Sequence, residues 1–152
     1  MTVIAWDGRT VAADSLCRFG CYRGPMPVEK IVKRNGVVFG ITDYSSWFDA
    51  WIGWYFNGQD PKEVPECKLT SGTGNFLVFK DGRAYACTYD LPYLQEVGAP
   101  DAWGSGCEFA IGAMKAGKNA KEAVEIVIEC NPDSGGPVQV IDLLQLQECE
   151  AT

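Results

Sequence analysis

Histidine is absent from the 152 residues, and that absence shapes any chemistry the chain could do. Without imidazole there is no Ser-His-Asp or Cys-His triad and no H-E-x-x-H zinc site. A hydrolase built from this sequence therefore needs another base, and Thr2 offers one. The methionine aminopeptidase accepts small second residues, so Met1 is a candidate for removal. Thr2 would then carry a hydroxyl nucleophile together with an α-amine that titrates near pH ~8 and is partly neutral in the cell. If Met1 stays, that nitrogen is an amide and the chemistry cannot run.

The elements around Thr2 bring a carboxylate toward it. TVIAW, a turn at Asp7-Gly8, and RTVAAD read as a hairpin, whose return strand carries Asp14 to within a residue or two of Thr2. Two more hairpins follow the same pattern: EKIVKR and VVFGI about Asn35-Gly36, and NFLVFK and RAYACTY about Asp81-Gly82. Asn-Gly and Asp-Gly supply the positive φ angles that tight hairpin turns need. Between the second and third hairpins, Tyr44 to Asn57 has Trp47, Trp51, Trp54 and Tyr55 at helical spacing. Phe48, Ile52 and Phe56 make this helix apolar nearly all round, as expected for burial against a sheet, with part of it available to a subunit interface.

Past Asp101, Ser105 with Glu108 and Asn119 with Glu122 read as capping boxes opening two helices, the first closing at Gly117 and the second at Pro132. Ala123, Val124, Val127 and Cys130 form an apolar stripe, and PVQVIDLLQL reads as a strand. Gln59 to Glu66 is a polar loop. Strands clustered around inserted helices favour antiparallel sheets in a layered α+β sandwich over a doubly wound parallel sheet.

Composition narrows the rest. Twenty acidic against thirteen basic side chains, a net charge of −7, argue against binding nucleic acid. With 47% apolar residues the chain can bury one core, and its length suits one domain spanning 1–152. Neither a signal peptide nor a membrane span is visible, since the most apolar segment, Trp47 to Phe56, is interrupted by Asp49 and is too short. The seven cysteines, at 17, 21, 67, 87, 107, 130 and 149, contain no C-x-x-C pair. They read as reduced, mostly buried thiols of a cytoplasmic protein, with Cys17 and Cys21 the one spacing suited to a local metal or disulfide.

TVIAWDGRTVAADS, then EKIVKRNGVVFGI, then Gly-Ser-Gly followed by a helix, in that order and approximate spacing, resemble the proteasome β-subunit and HslV-like group of N-terminal-nucleophile (Ntn) hydrolases. The resemblance implies a four-layer αββα sandwich of antiparallel sheets, here reduced in size. It implies Thr2 as nucleophile, Asp14 as the acid that positions Lys30, Gly40 as the oxyanion glycine, Ser105 as the serine close to the threonine amine, and Ser134 as a further serine around the nucleophile. In this arrangement a buried Lys30 ammonium favours the alkoxide and lowers the amine pKa. The resemblance further implies peptide or unfolded-protein substrates, a homo-oligomeric ring that an ATPase can feed, and no metal or organic cofactor.

Three departures stand out. Asn131 occupies the position of an aspartate three residues before Ser134, with Asp133 shifted by two. Ile-Thr-Asp-Tyr after Gly40 replaces smaller residues, which would narrow the cleft. A long central helix is reduced to the loop at residues 59–66. The readings are then a threonine peptidase, a non-catalytic structural or assembly subunit that keeps the fold, and an amidase acting on a small nonpeptide amide.

Overall fold

The computed structural model describes residues 2–42, 47–65 and 74–150. Strand β1 (Val3–Trp6) and strand β2 (Thr10–Ala13) pair antiparallel, with Ile4 opposite Ala13 and Trp6 opposite Val11. The turn between them sits one residue later than expected, at Gly8-Arg9. Asp7 N–H donates to the Thr10 carbonyl, and Asp7 Oδ1 accepts from the amides of Arg9 and Thr10 at 2.9 and 2.7 Å. An aspartate that satisfies the turn with its own side chain flanks the turn instead of occupying its centre.

A short ribbon, β3 (Arg18–Phe19) with β4 (Tyr22–Arg23), leads to the second hairpin, β5 (Ile31–Arg34) and β6 (Val37–Ile41). Here Asn35 and Gly36 both adopt positive φ, 49° and 77°, as a tight two-residue turn requires. Helix α1 covers Phe48–Phe56; the expected start at Tyr44 lies outside the described residues, as does Glu66 at the end of the polar loop, which contains one 3-10 turn, Pro61–Glu63. Strands β7 (Asn75–Lys80) and β8 (Arg83–Thr88) form the third hairpin about Asp81-Gly82, again with both φ positive.

Four strands escape the sequence reading: β3 and β4, of two residues each, and two later ones. Among the described residues strand β9 (Leu91–Val97) pairs only with β8, and its Pro92 is tolerated because an edge strand need not donate every amide. Strand β10 (Asp101–Gly104) has only four residues, too few to show a period. Helix α2 (Cys107–Lys115) starts after Gly106 with no side-chain cap, so Ser105 does not act as the cap expected of it. Helix α3 (Ala120–Cys130) has the full Asn119–Glu122 capping box. Its buried stripe is Ala120, Ala123, Val124 and Val127; Cys130, at the last turn, is exposed. The expected final strand divides into β11 (Gln139–Asp142) and helix α4 (Leu143–Glu150), because Asp142 Oδ1 accepts the Leu144 amide and starts a helix there.

Among the described residues these elements make, besides the β3–β4 ribbon, two larger antiparallel sheets, β10-β1-β2-β11 and β5-β6-β7-β8-β9. Ile4, Trp6, Val11 and Ala13 meet Ile31, Val38, Leu77 and Phe79 between the sheets. On the outer face of the first sheet, Val3, Ala5 and Ala12 pack against Ala110, Ala123, Val124 and Val127 of α2 and α3. On the outer face of the second, Phe39, Phe76 and Val78 pack against Phe48, Trp51, Ile52 and Trp54 of α1. The layers therefore run helix, sheet, sheet, helix, as in the expected αββα sandwich. Burial on both faces explains why β1, β2 and β6 read as nearly continuous apolar runs. Gly40 is tightly packed: a Cβ there would lie 3.2 Å from Ile4 Cδ1 of the facing sheet and from Leu77 Cδ1 of its own.

Among the described residues no helix is long and apolar enough to cross a membrane. Of the described cysteines only Cys87 is buried, whereas Cys21, Cys130 and Cys149 are exposed, so the expectation of mostly buried thiols is corrected. Cys17 and Cys21 form no disulfide; Cys17 precedes β3 and Cys21 lies in the turn between β3 and β4.

Candidate active site

The polar centre of the molecule lies where β1 begins and β2 ends. Register puts Asp14 opposite the first residues of β1: Asp14 N–H donates to the Val3 carbonyl at 3.2 Å and Val3 N–H donates to Asp14 Oδ1 at 3.0 Å. The same oxygen accepts from Lys30 Nζ at 2.9 Å, and Oδ2 accepts from the amides of Gly135 and Leu16 at 3.1 and 3.3 Å. A carboxylate with no exposed surface thus receives three backbone amides and one ammonium. Such donors stabilise a buried anion that would otherwise cost several kcal/mol, on the order of the desolvation penalty of a buried ion.

Lys30 is 5% exposed. Burial pushes its ammonium below the usual lysine range, and the charge and hydrogen bond of Asp14 act in the opposite direction. Its backbone is held by a residue the sequence reading did not single out. Gln139 of β11 accepts from the amides of Lys30 and Ile31 through Oε1, at 2.9 and 3.4 Å, and donates from Nε2 to the Val28 carbonyl. The available signal was a lone amide side chain inside an otherwise apolar run, PVQVI.

Thr2 is 3% exposed and precedes β1 directly. On its other side runs β10, with Gly104 opposite Val3. Gly104 has φ +98°, and a Cβ there would lie 1.8 Å from the Thr2 carbonyl oxygen, so only glycine fits beside the threonine. Next to Gly104, Ser105 is exposed in the turn before α2, and its Oγ accepts from Asn131 Nδ2 at 3.4 Å. Ser105 lies one residue before the N-cap of α2, Gly106, and so does not cap it.

Asn131 ends α3, with its N–H bonded to the Val127 carbonyl at 2.7 Å, its carbonyl accepting from Ser134 N–H at 3.2 Å, and its Oδ1 accepting from Asp133 N–H at 2.9 Å. Ser134 is buried, and its hydroxyl has no hydrogen-bond partner among the described residues. Asp133 pairs with Arg18 of β3. The turn that follows is clamped on the end of β2: Ser15 N–H donates to the Gly135 carbonyl at 3.0 Å and Ser15 Oγ to the Pro137 carbonyl at 2.6 Å.

The fold therefore brings Thr2, Asp14, Lys30, Ser105, Asn131 and Ser134 to one end of the first sheet. Gly40 is different. Ile41 N–H donates to the Lys30 carbonyl just before β5 and Thr42 N–H to the Asn75 carbonyl at the start of β7. Amides alternate along a strand, so the Gly40 amide points to β7, where Gly40 faces Leu77 in the ladder. Buried in mid-strand with its amide so directed, Gly40 is not placed to donate to an oxyanion, and that expectation is corrected.

A cleft of about 410 Å³ opens beside Gly104 and Ser105, lined also by Thr42, Asn75, Trp103 and Cys107. It carries no charged side chain among the described residues. No group of three or more Cys, Asp or Glu side chains among them is placed to hold a metal ion.

Comparison with solved structures gives the class of fold. Thiobacillus denitrificans BPH, a bacterial proteasome homologue, superposes with a TM-score of 0.67 at 24% identity over 94% of this chain and 98% of its own. The same protein in complex with epoxomicin gives 0.68 at 23% identity, covering 94% and 99%. Eukaryotic HslV from Trypanosoma brucei gives 0.65 at 17% identity, covering 93% and 98%. The chain has the proteasome- and HslV-like Ntn-hydrolase fold. No protein-family model matches the sequence, and no curated protein shows significant similarity to it.

Proposed function

We propose that the chain is a threonine-type Ntn hydrolase that cleaves amide bonds of peptides or unfolded protein with Thr2 once Met1 is removed. The observation that carries this reading is the hydrogen-bonded line from the Val3 amide through Asp14 to Lys30 Nζ, which ties a buried ammonium to the residue next to Thr2. On this reading the neutral Thr2 amine accepts the proton of its own hydroxyl, and Oγ1 attacks the substrate carbonyl. The ammonium of Lys30, held charged by Asp14, stabilises the developing alkoxide. The amine then returns the proton to the leaving nitrogen, and water hydrolyses the Thr2 ester by the same route. No step uses a metal or organic cofactor. Gly40 has no part in it.

Ring assembly, a feeding ATPase and a cytoplasmic location belong to the same proposal and rest on the likeness to the proteasome and HslV. The aromatic helix α1 spends Trp51 and Trp54 on the chain's own core, leaving Phe56 as its exposed large hydrophobic residue for a neighbouring subunit. A second reading, a non-catalytic assembly subunit, is favoured by the neutral Asn131 beside Ser105.

Intact mass of the untagged protein tests the first requirement: loss of one methionine frees the Thr2 amine, and quantitative retention sinks the proposal. With Met1 gone, labelling by an epoxyketone such as epoxomicin and peptide hydrolysis are both expected, and both are lost in Thr2→Ala and in Lys30→Ala while assembly persists. A correctly processed chain with neither reaction is the assembly subunit.

A further inference from the structure

We propose that Gln139 is a positioning residue for the Lys30 ammonium: its side-chain amide holds a bend at Lys30 that delivers Nζ to Asp14. The inference rests on the catalytic role given to Lys30 above and adds what keeps that lysine in place.

Register sets Gln139 of β11 opposite Ala13 of β2, one residue before Asp14. Side chains alternate along a strand, so Gln139 shares its face with Ile141, which packs into the core between the sheets, while Val140 between them is exposed. An apolar side chain would suit that face, and an amide placed there is costly unless it is hydrogen-bonded. Gln139 uses both of its ends. Oε1 accepts from the Lys30 and Ile31 amides at 2.9 and 3.4 Å, and Nε2 donates to the Val28 carbonyl at 3.3 Å. A backbone amide donates only to the oxygen and a carbonyl accepts only from the NH₂ group, so both ends fix the same orientation.

These bonds shape the backbone. In a regular strand successive amides point to opposite sides, so two of them meeting one oxygen require a bend. The chain bends at Lys30, and β5 begins only at Ile31. Within β5, Ile31 lies in the core between the sheets and Val32 in the core under α1. Continued alternation would put Lys30 on the Val32 face, turned away from the first sheet. Instead its Nζ lies 2.9 Å from Asp14 Oδ1 of that sheet. The bend held by Gln139 accounts for the redirection. With its carbonyl accepting from Ile41 N–H at 3.1 Å, Lys30 is held at its amide, its carbonyl and its ammonium. A catalytic group displaced by about 1 Å can lose rate on the order of 10²-fold, so the loss of this hold should be felt in the chemical step.

The test uses the processed, assembled protein carrying ¹³C-lysine. The Lys30 ε-methylene resonance is assigned by its absence in Lys30→Arg, and epoxomicin labelling of Thr2 is resolved into kinact and KI. Gln139→Met keeps the length of the side chain and removes its hydrogen bonds to Val28, Lys30 and Ile31. It should lower kinact about 10- to 100-fold, leave KI within about twofold, and shift the Lys30 resonance toward those of exposed lysines. Gln139→Glu keeps the acceptor and gives up only the bond to Val28, so it should recover most of both losses. A Lys30 resonance unmoved in Gln139→Met overturns the proposal whether or not kinact falls, because the residue is then merely structural. A Gln139→Glu variant no better than Gln139→Met overturns it too. Should Gln139→Met fail to fold, Gln139→Asn decides: one methylene shorter, it must move kinact and the resonance together. A processed wild type that epoxomicin does not label fails the catalytic reading itself, while the Lys30 resonance still decides whether Gln139 holds the ammonium.

Discussion

The two ends of this sandwich are built on different physics. Around Asp14, buried groups are polar, and each donor is aimed at a particular oxygen. Beneath α1, buried groups are aromatic: the Trp51 ring lies tilted against Phe76 and Tyr89, with centroids 5.4 and 5.3 Å away, and Phe39 stacks on Phe76 at 5.8 Å. Hydrogen bonds to a buried anion depend steeply on direction, whereas apolar packing depends on filled volume. One end is therefore intolerant of changed geometry, and the other of changed size. Charge and activity should respond at the first end, and stability alone at the second.

The strongest way to break this contrast is Asp14→Ala. It leaves the Lys30 ammonium buried without its carboxylate, so a loss of about 3–5 kcal/mol in denaturant unfolding is expected together with loss of hydrolysis. If Asp14→Ala unfolds like the wild type, the polar end is not the high-stakes one. Trp51→Ala should cost about 3–5 kcal/mol as well, through the cavity it opens, yet retain activity at temperatures where the variant stays folded. Trp51→Phe sharpens the point. The indole Nε1 is buried without a hydrogen-bond partner among the described residues, so the smaller ring gives up no such bond and should cost clearly less than alanine.

Smaller effects lie outside both ends. Asn119→Ala removes the capping box of α3 and should lower stability by about 1 kcal/mol with no change in catalysis. The least visible difference is chemical. Burial pushes the Cys87 thiol up to about 12, so alkylation at pH 8 followed by peptide mass mapping should mark Cys21 and Cys130 well before Cys87. Because that folded pKa lies above the unfolded value, the thiol contributes stability below pH ~9 that is lost as pH rises toward 12. Early modification of Cys87 would mean that the aromatic end opens locally.

Local information was legible in the sequence. Asn35-Gly36 and Asp81-Gly82 specify tight turns by backbone sterics alone, and the Asn119–Glu122 box and Gly117 mark helix ends within a few residues of themselves. The placement of Asp14 beside the start of β1 followed from hairpin register, which a single turn sets. The failures were also local in origin. Gly40 fell in the strand because the apolar run continues past it, and the direction of an amide depends on which partner strand lies on each side. Strands β9 and β10 were too short or too interrupted to show a period.

Only the tertiary structure decided what surrounds the site. Gln139 reaches Lys30 across 109 residues of chain, Gly135 reaches Asp14 across 121, and Asn131 reaches Ser105 across 26. No pattern in the sequence encodes such contacts, because they arise from the way two sheets and their helices stack. The sequence by itself determined the absence of an imidazole base, the hairpins and the candidate nucleophile. Packing determined which oxygen each donor meets, and with it how charge is held next to Thr2.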